Sequence, residues 1–208
     1  MSEMDRGREI EIKLPLESAA EGRAKLIAAG FGERHERCLE RNTLFDDGER
    51  SLRQRGDLVR VRLYGEKVVL TYKQRGQEEA GTIAGSLHKH RPEQETEVGA
   101  EGPLVAVLGA AGLEPVLRYE KYRTVFNRPG ESGLAMLDET PIGVYLELEG
   151  QPEWIDRVAG ELGFGVGQYV TQSYLSLHQQ FCLNNGVDAA EMLFDETEAS
   201  EKAPNTRE

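Results

Sequence analysis

Charged and aliphatic residues alternate without a fault through Glu9, Ile10, Glu11, Ile12, Lys13 and Leu14. Side chains of a strand point alternately to opposite faces, so this period of two predicts a β-strand. A helical pattern follows. Ser18 and Glu21 fit a capping box, Ala24, Ile27 and Phe31 fall on one face, and Gly30 supplies the stop. Beyond it the chain reads as extended segments: RCLERNTLFDD, DLVRVRL, KVVLTYKQR, ETEV, RYEKYRTVF, LAMLDE and GVYLELE. Most are bounded by Gly, Pro or Asp turn signals. PEWIDRVAGELG predicts a helix with Pro152 near its start. QYVTQSYLSLHQQF predicts a last helix with Val170, Tyr174, Leu177 and Phe181 on one face. Strands outnumber helices, and short turns between strands imply antiparallel pairing. The pattern therefore predicts an α+β chain with a curved or closed antiparallel sheet and helices outside it.

The phase of the charges changes this picture. Glu9, Glu11 and Lys13 share one face of the first strand, and Arg60 and Arg62 share a face opposite Val59, Val61 and Leu63. Thr71 and Lys73, Glu95 and Glu97, Lys121 and Arg123, and Glu147 and Glu149 form four more in-phase pairs. For any single segment, the plain reading is a solvent face of a half-exposed sheet. For the set, sign segregates by strand, whereas surface sheets intersperse signs to avoid like-charge neighbours. The alternative inverts the sheet: charges face a barrel lumen, and the aliphatic residues pack under helices. Rows of Lys and Arg in a lumen are costly unless an anion occupies it. Guanidinium forks and ammonium groups suit phosphate oxygens, and carboxylates suit a hard divalent cation that bridges to phosphates.

Bulk numbers narrow the classes. The chain has 208 residues and a net charge of −12, which argues against a nucleic-acid partner. No apolar run reaches membrane-span length, and MSEMDRGRE lacks the apolar stretch of a secretory signal. Cys38 and Cys182 make neither a disulfide framework nor a metal-ligand spacing, so a cytoplasmic protein without a membrane partner is expected. Residues 188–208 hold seven acidic and two basic residues and read as a disordered acidic tail (187–208) after a body spanning 1–186.

With these rows in hand, the chain resembles the CYTH superfamily, the triphosphate tunnel metalloenzymes. That group includes CyaB-like adenylate cyclases, thiamine triphosphatases and inorganic triphosphatases. The resemblance rests on Glu-x-Glu-x-Lys at Glu9, Glu11 and Lys13, followed in order by NTLFD, LVRVR, LTYK, ETEV, EKYR, MLDE, YLELE and QSYLSL. It implies an eight-stranded antiparallel β-barrel, a triphosphate tunnel, flanked by helices. It further implies catalytic roles for Glu9, Glu11 and Lys13. Substrate phosphates would be held by Lys13, Arg60, Arg62, Lys73, Lys121 and Arg123. A Mg²⁺ or Mn²⁺ would be held by Glu9, Glu11, Asp138, Glu147, Glu149 and Glu97.

The expected activity is metal-dependent hydrolysis of a small-molecule triphosphate, either tripolyphosphate or thiamine triphosphate. The alternatives are a CyaB-like adenylate cyclase acting on ATP and a non-catalytic polyphosphate or nucleotide binder. A homodimer is left open. Arg53 and Arg55 are expected in a turn, Arg118 facing outward, and HKHRP (88–92) in a loop rather than a zinc site.

Overall fold

The computed structural model describes residues 8–75, 88–187 and 191–195. Eight strands close into one antiparallel barrel: β1 (Arg8–Leu16), β2 (Gly32–Asp46), β3 (Leu58–Tyr64), β4 (Lys67–Lys73), β5 (Lys89–Val98), β6 (Glu114–Asn127), β7 (Leu134–Thr140) and β8 (Gly143–Glu149). Their order around the barrel is β1-β5-β4-β3-β2-β6-β7-β8. Among the described residues five α-helices accompany them: α1 (Ala19–Ala28), α2 (Ser51–Arg55), α3 (Glu101–Ala110), α4 (Pro152–Glu161) and α5 (Tyr174–Asn185). No helix among the described residues is long and apolar enough to cross a membrane.

The hydrophobic core lies outside the barrel. Ile12, Leu14, Leu146 and Leu148 are fully buried on the outer faces of β1 and β8, where they meet Leu26, Trp154, Ile155 and Val158 of α1 and α4. Leu108 of α3 covers Val59, Val61 and Val68 in the same way. Burying these side chains supplies the main drive for folding, at roughly 25 cal/mol per Å² of apolar surface. It also forces the opposite, charged face of every strand inward, as the inverted reading requires.

Several elements differ from expectation. The buried face of α1 is Gly22 and Leu26, while Ile27 is 58% exposed. A Cβ at Gly22 would lie 2.5 Å from Leu16 Cδ1, so the absent side chain sets how closely α1 approaches the barrel. Phe31 is buried, but it follows Gly30, whose positive φ breaks the helical phase. The last helix begins only at Tyr174, capped by the Ser173 hydroxyl. Val170 instead exchanges two backbone hydrogen bonds with Lys13 on the free edge of β1. HKHRP is not a loop: from Lys89 onward it forms β5, because Lys89 and Arg91 pair with Glu11 and Glu9. Arg53 and Arg55 sit on the short helix α2, and Arg118 faces outward to Glu191 as expected. Much of the acidic tail lies outside the described residues. Within it, Met192 and Phe194 are buried, since two apolar side chains find a place against β6.

Candidate active site

The register carries one phase around the whole barrel. Glu11 faces Lys89 and Glu149, Lys13 faces Glu147, Arg123 faces Asp138, Lys121 faces Glu40, Arg62 faces Asn42, and Lys73 faces Glu93 in adjacent strands, except where a bulge intervenes. The inward positions thus hold the acids Glu9, Glu11, Glu40, Glu93, Glu95, Asp138, Glu147 and Glu149, eight in all. Facing them are eight bases: Lys13, Arg60, Arg62, Lys73, Lys89, Arg91, Lys121 and Arg123. Acids and bases balance in number, so an incoming anion competes with internal ion pairs instead of filling a purely cationic tube.

Eleven of these sixteen side chains border a cavity of about 560 Å³, within the range of small-molecule sites; Glu40, Glu93, Glu95, Asp138 and Glu149 do not line it. Glu9, Glu11, Lys13, Arg60, Arg62, Lys73, Lys121, Arg123 and Glu147 all line it. Leu44, Leu58, Leu117 and Leu175 give the same cavity an apolar collar, and Arg50, Arg53, Asp46 and Asp57 line it as well.

One cluster is saturated. Asp138 is fully buried and accepts from Arg123 Nε and Nη2 at 2.6 Å each, from Lys121 Nζ at 2.9 Å and from the Tyr174 hydroxyl at 2.7 Å. Arg123 Nη2 also reaches Glu147 at 3.0 Å. Burial opposes the charge of Arg123, but Asp138, Glu147 and Glu40 hold it well above the ordinary arginine range. Lys13 lies 2.9 Å from Glu11 and 3.3 Å from Glu147, which outweigh burial and raise it likewise. Lys13 and Lys121 also stand 5.1 Å from the Tyr174 ring centre, over its face.

A second cluster is oversupplied with negative charge. Lys73 Nζ bridges Glu9 at 2.5 Å and Glu93 at 2.9 Å. Burial works against the Glu9 charge, yet Lys73 brings it down to about 2. Burial and the neighbouring Glu9 push Glu93 up to about 8. Glu149 makes no salt bridge among the described residues. Burial together with Glu9 and Glu147 pushes it up to about 7. Lys89 touches Glu11, but burial and the nearby Lys13 lower it.

Not every expected residue converges. Glu97 is 60% exposed and pairs with Lys67 outside the cavity. Asp138, expected among the metal carboxylates, has both oxygens committed to cations and Tyr174. Four participants were not anticipated. Lys89, Arg91 and Glu93 continue the period of Glu95 toward the N-terminal end of β5, and the run of alternating charges through HKHRPEQETEV is the signal for them. Glu40 is the fourth; it is 2% exposed and stands among Arg62, Lys121 and Arg123, which hold it well below the carboxylate range against the cost of burial. Three buried polar atoms here lack a hydrogen-bond partner: Arg60 Nε, Asn42 Nδ2 and Glu40 Oε2. Buried donors are rarely left unpaired, so Arg60 Nε and Asn42 Nδ2 mark a place for acceptor oxygens.

Comparison with known proteins is consistent with this arrangement. The CYTH domain model matches residues 7–174. The structure of a candidate adenylate cyclase from Vibrio parahaemolyticus superposes with a TM-score of 0.68 at 15% identity, covering 84% of this chain and 99% of that one. The PH1819 protein of Pyrococcus horikoshii gives 0.64 at 21% identity, covering 83% and 98%. A candidate adenylyl cyclase from Hippeastrum, described as having a dominant triphosphatase activity, gives 0.59 at 21% identity, covering 86% and 97%. At these identities the likeness is one of fold. No curated protein matches the chain.

Proposed function

The chain belongs to the CYTH family, and from that premise we propose that it hydrolyses a linear triphosphate, with Mg²⁺ or Mn²⁺, to orthophosphate and a diphosphate. The observation that carries this reading is the cation-lined cavity with buried donors awaiting acceptors, Arg60 Nε foremost. Arg60, Arg62, Lys73, Lys121, Arg123 and Lys13 stand on four strands around one space, as a chain of phosphates requires.

The donor set fits a hard cation in chemistry. Glu9, Glu11, Glu147 and Glu149 offer only oxygen ligands, and burial, with the repulsion of Glu9 and Glu147, drives Glu149 toward protonation. As arranged, no three His, Cys, Asp or Glu side chains among the described residues converge around one point; Lys13 and Lys89 pair with Glu11, and Arg123 pairs with Glu147. A bound ion would neutralise phosphate charge and lower the pKa of a coordinated water. The protein's own part is positioning and neutralisation, which dominate phosphoryl transfer. The arginines fix the phosphate chain, Lys13 carries charge to its centre, and Asp138 holds Lys121 and Arg123 in orientation.

The apolar collar gives a second reading a footing, since it offers room for an organic group such as the nucleoside of ATP. One assay separates the outcomes. The protein is incubated with Mg²⁺ or Mn²⁺ and, separately, tripolyphosphate, thiamine triphosphate and ATP, and phosphate, pyrophosphate and cyclic AMP are measured. Metal-dependent phosphate release is expected. Cyclic AMP with pyrophosphate from ATP would make the protein a cyclase, and no turnover of any substrate would leave a binder.

A further inference from the structure

The barrel wall is hydrogen-bonded along most of its circumference, and two of the stretches that its strands leave unpaired are taken by chain from elsewhere. β1 pairs with β5 only through residues 8–11, and the edge at Lys13 is taken by Val170. β6 pairs with β7 only from Tyr122 onward, so residues 114–121 present an unpaired edge on that side. Met192 occupies it. Its N–H donates to the Arg118 carbonyl at 3.0 Å, and its carbonyl accepts from the Glu120 N–H at 2.8 Å, forming a parallel bridge at Tyr119. The contact is anchored on both sides. Glu191 pairs with Arg118 at 2.6 Å, and Phe194 packs on Tyr122 with ring centres 5.1 Å apart.

Met192 lies eighteen positions beyond the last residue of the family match, which ends at 174. Its side chain is 2% exposed and joins Leu44, Tyr119 and Tyr174 in one buried cluster. The two tyrosines reach into the charged interior. The Tyr119 hydroxyl accepts from Arg60 Nη1 at 3.4 Å, and the Tyr174 hydroxyl donates to Asp138, which orients Lys121 and Arg123. A solvated acidic tail would have no reason to bury Met192 and Phe194.

We propose that residues 191–195 form a positioning strap for the anion site. They complete the open edge of β6 and fix Tyr119 and Tyr174, which hold Arg60 and Asp138 in register, so the strap sets affinity for a phosphate chain. Met192 is thus a positioning residue outside the family domain. This rests on the reading of the barrel interior as an anion site, and it concerns binding rather than the chemical step.

The test uses the full-length chain carrying Met192→Asp, with Met192→Ala as a milder variant should the first fail to fold, and Met192→Leu as the conservative control. Affinity for inorganic tripolyphosphate is measured by calorimetry in EDTA, so that no metal-dependent hydrolysis accompanies binding, and exchange of the Glu120 amide by hydrogen–deuterium mass spectrometry. Met192→Asp is expected to weaken affinity roughly tenfold and to speed Glu120 exchange, while Met192→Leu keeps both at wild-type levels. The rate at saturating substrate should stay within about twofold, because the strap acts on orientation of binding groups. Faster Glu120 exchange with unchanged affinity would overturn the proposal, as would a folded variant whose maximal rate falls while affinity holds. Wild-type protein that binds tripolyphosphate without hydrolysing it would sink the hydrolase reading and leave the strap standing.

Discussion

Two carboxylate clusters share one barrel and behave oppositely. Around Asp138, three cationic or hydroxyl partners meet one fully buried acid, and every oxygen is occupied. Around Glu9, Glu93 and Glu149, three acids meet two cations, Lys73 and Arg60, and Glu93 and Glu149 are pushed up to about 8 and about 7. Both are sets of buried charges, yet only the second has unmet demand. A saturated cluster positions its neighbours, whereas an oversupplied one is poised for a ligand of opposite charge. Counting acidic residues in the sequence would have ranked the two alike.

The largest expected effect strikes the saturated cluster. Asp138→Asn leaves Arg123 and Lys121 buried beside a neutral amide, and breaking a buried pair in this way costs about 3–5 kcal/mol. Thermal unfolding should show the midpoint falling by ten degrees or so. An unchanged midpoint would mean that Glu147 and Glu40 already compensate Arg123, and the distinction between the clusters would fail.

Next come Glu149→Gln in the oversupplied cluster and Glu11→Gln beside it. Each should reduce metal-dependent turnover by a factor on the order of 10³, about 4 kcal/mol in the barrier. The metal-free Glu149→Gln protein should be as stable as the parent or more so, because a like-charge repulsion is gone. Full activity in both variants would remove the assigned metal carboxylates. Lower stability of metal-free Glu149→Gln would show that Glu149 has a structural partner.

How much of this contrast could be read from the sequence depends on which interaction carries it. The inward rows were legible because period two is written residue by residue: Glu9, Glu11 and Lys13 share a face whatever they pair with. The pairings were not, because Asp138 meets Lys121, Arg123 and Tyr174 only through the register of β6 and β7 and the placement of α5. Glu40 was passed over because its role comes from neighbours on β3 and β6. Helix α3 went unread because Leu104, Val105, Val107 and Leu108 wrap apolar residues around it without a stripe. Met192 lay hidden in an acidic run whose composition spoke for solvent, and only the unpaired edge of β6 explains why it docks.

The oversupplied cluster also predicts the sign of the pH dependence. Unfolded glutamates titrate near 4.5, and folded Glu149 and Glu93 near 7 and 8. Between these values the folded chain holds protons that the unfolded chain has lost, so raising the pH favours unfolding. Metal-free stability should therefore fall steadily from about pH 5 to pH 8. Glu9 acts in the opposite sense: its folded pKa of about 2 gives stability that is lost as the pH drops below 4.5. Denaturant titrations across this range should show a maximum near pH 5, and saturating Mg²⁺ should flatten the alkaline slope. A curve that rises steadily from pH 5 to pH 8 without metal would contradict the like-charge reading.

The smallest effect asks how complete the saturated cluster is. Tyr174→Phe removes one donor to Asp138 but keeps the ring that faces Lys13 and Lys121 at 5.1 Å. Burial and the Asp138 charge hold the Tyr174 hydroxyl well above the usual tyrosine range, so it stays a neutral donor in the pH range of any assay. Asp138 retains Lys121 and both arms of Arg123, so no charge is stranded and the loss is that of a single hydrogen bond, about 1 kcal/mol. Unfolding should register that loss, and the KM for tripolyphosphate should rise by no more than about fivefold with kcat nearly constant. A hundredfold fall in kcat would place the Tyr174 hydroxyl, and with it Asp138, among the groups that act on the reacting phosphate. The saturated cluster would then be part of the chemistry, and saturation would no longer separate positioning residues from reacting ones.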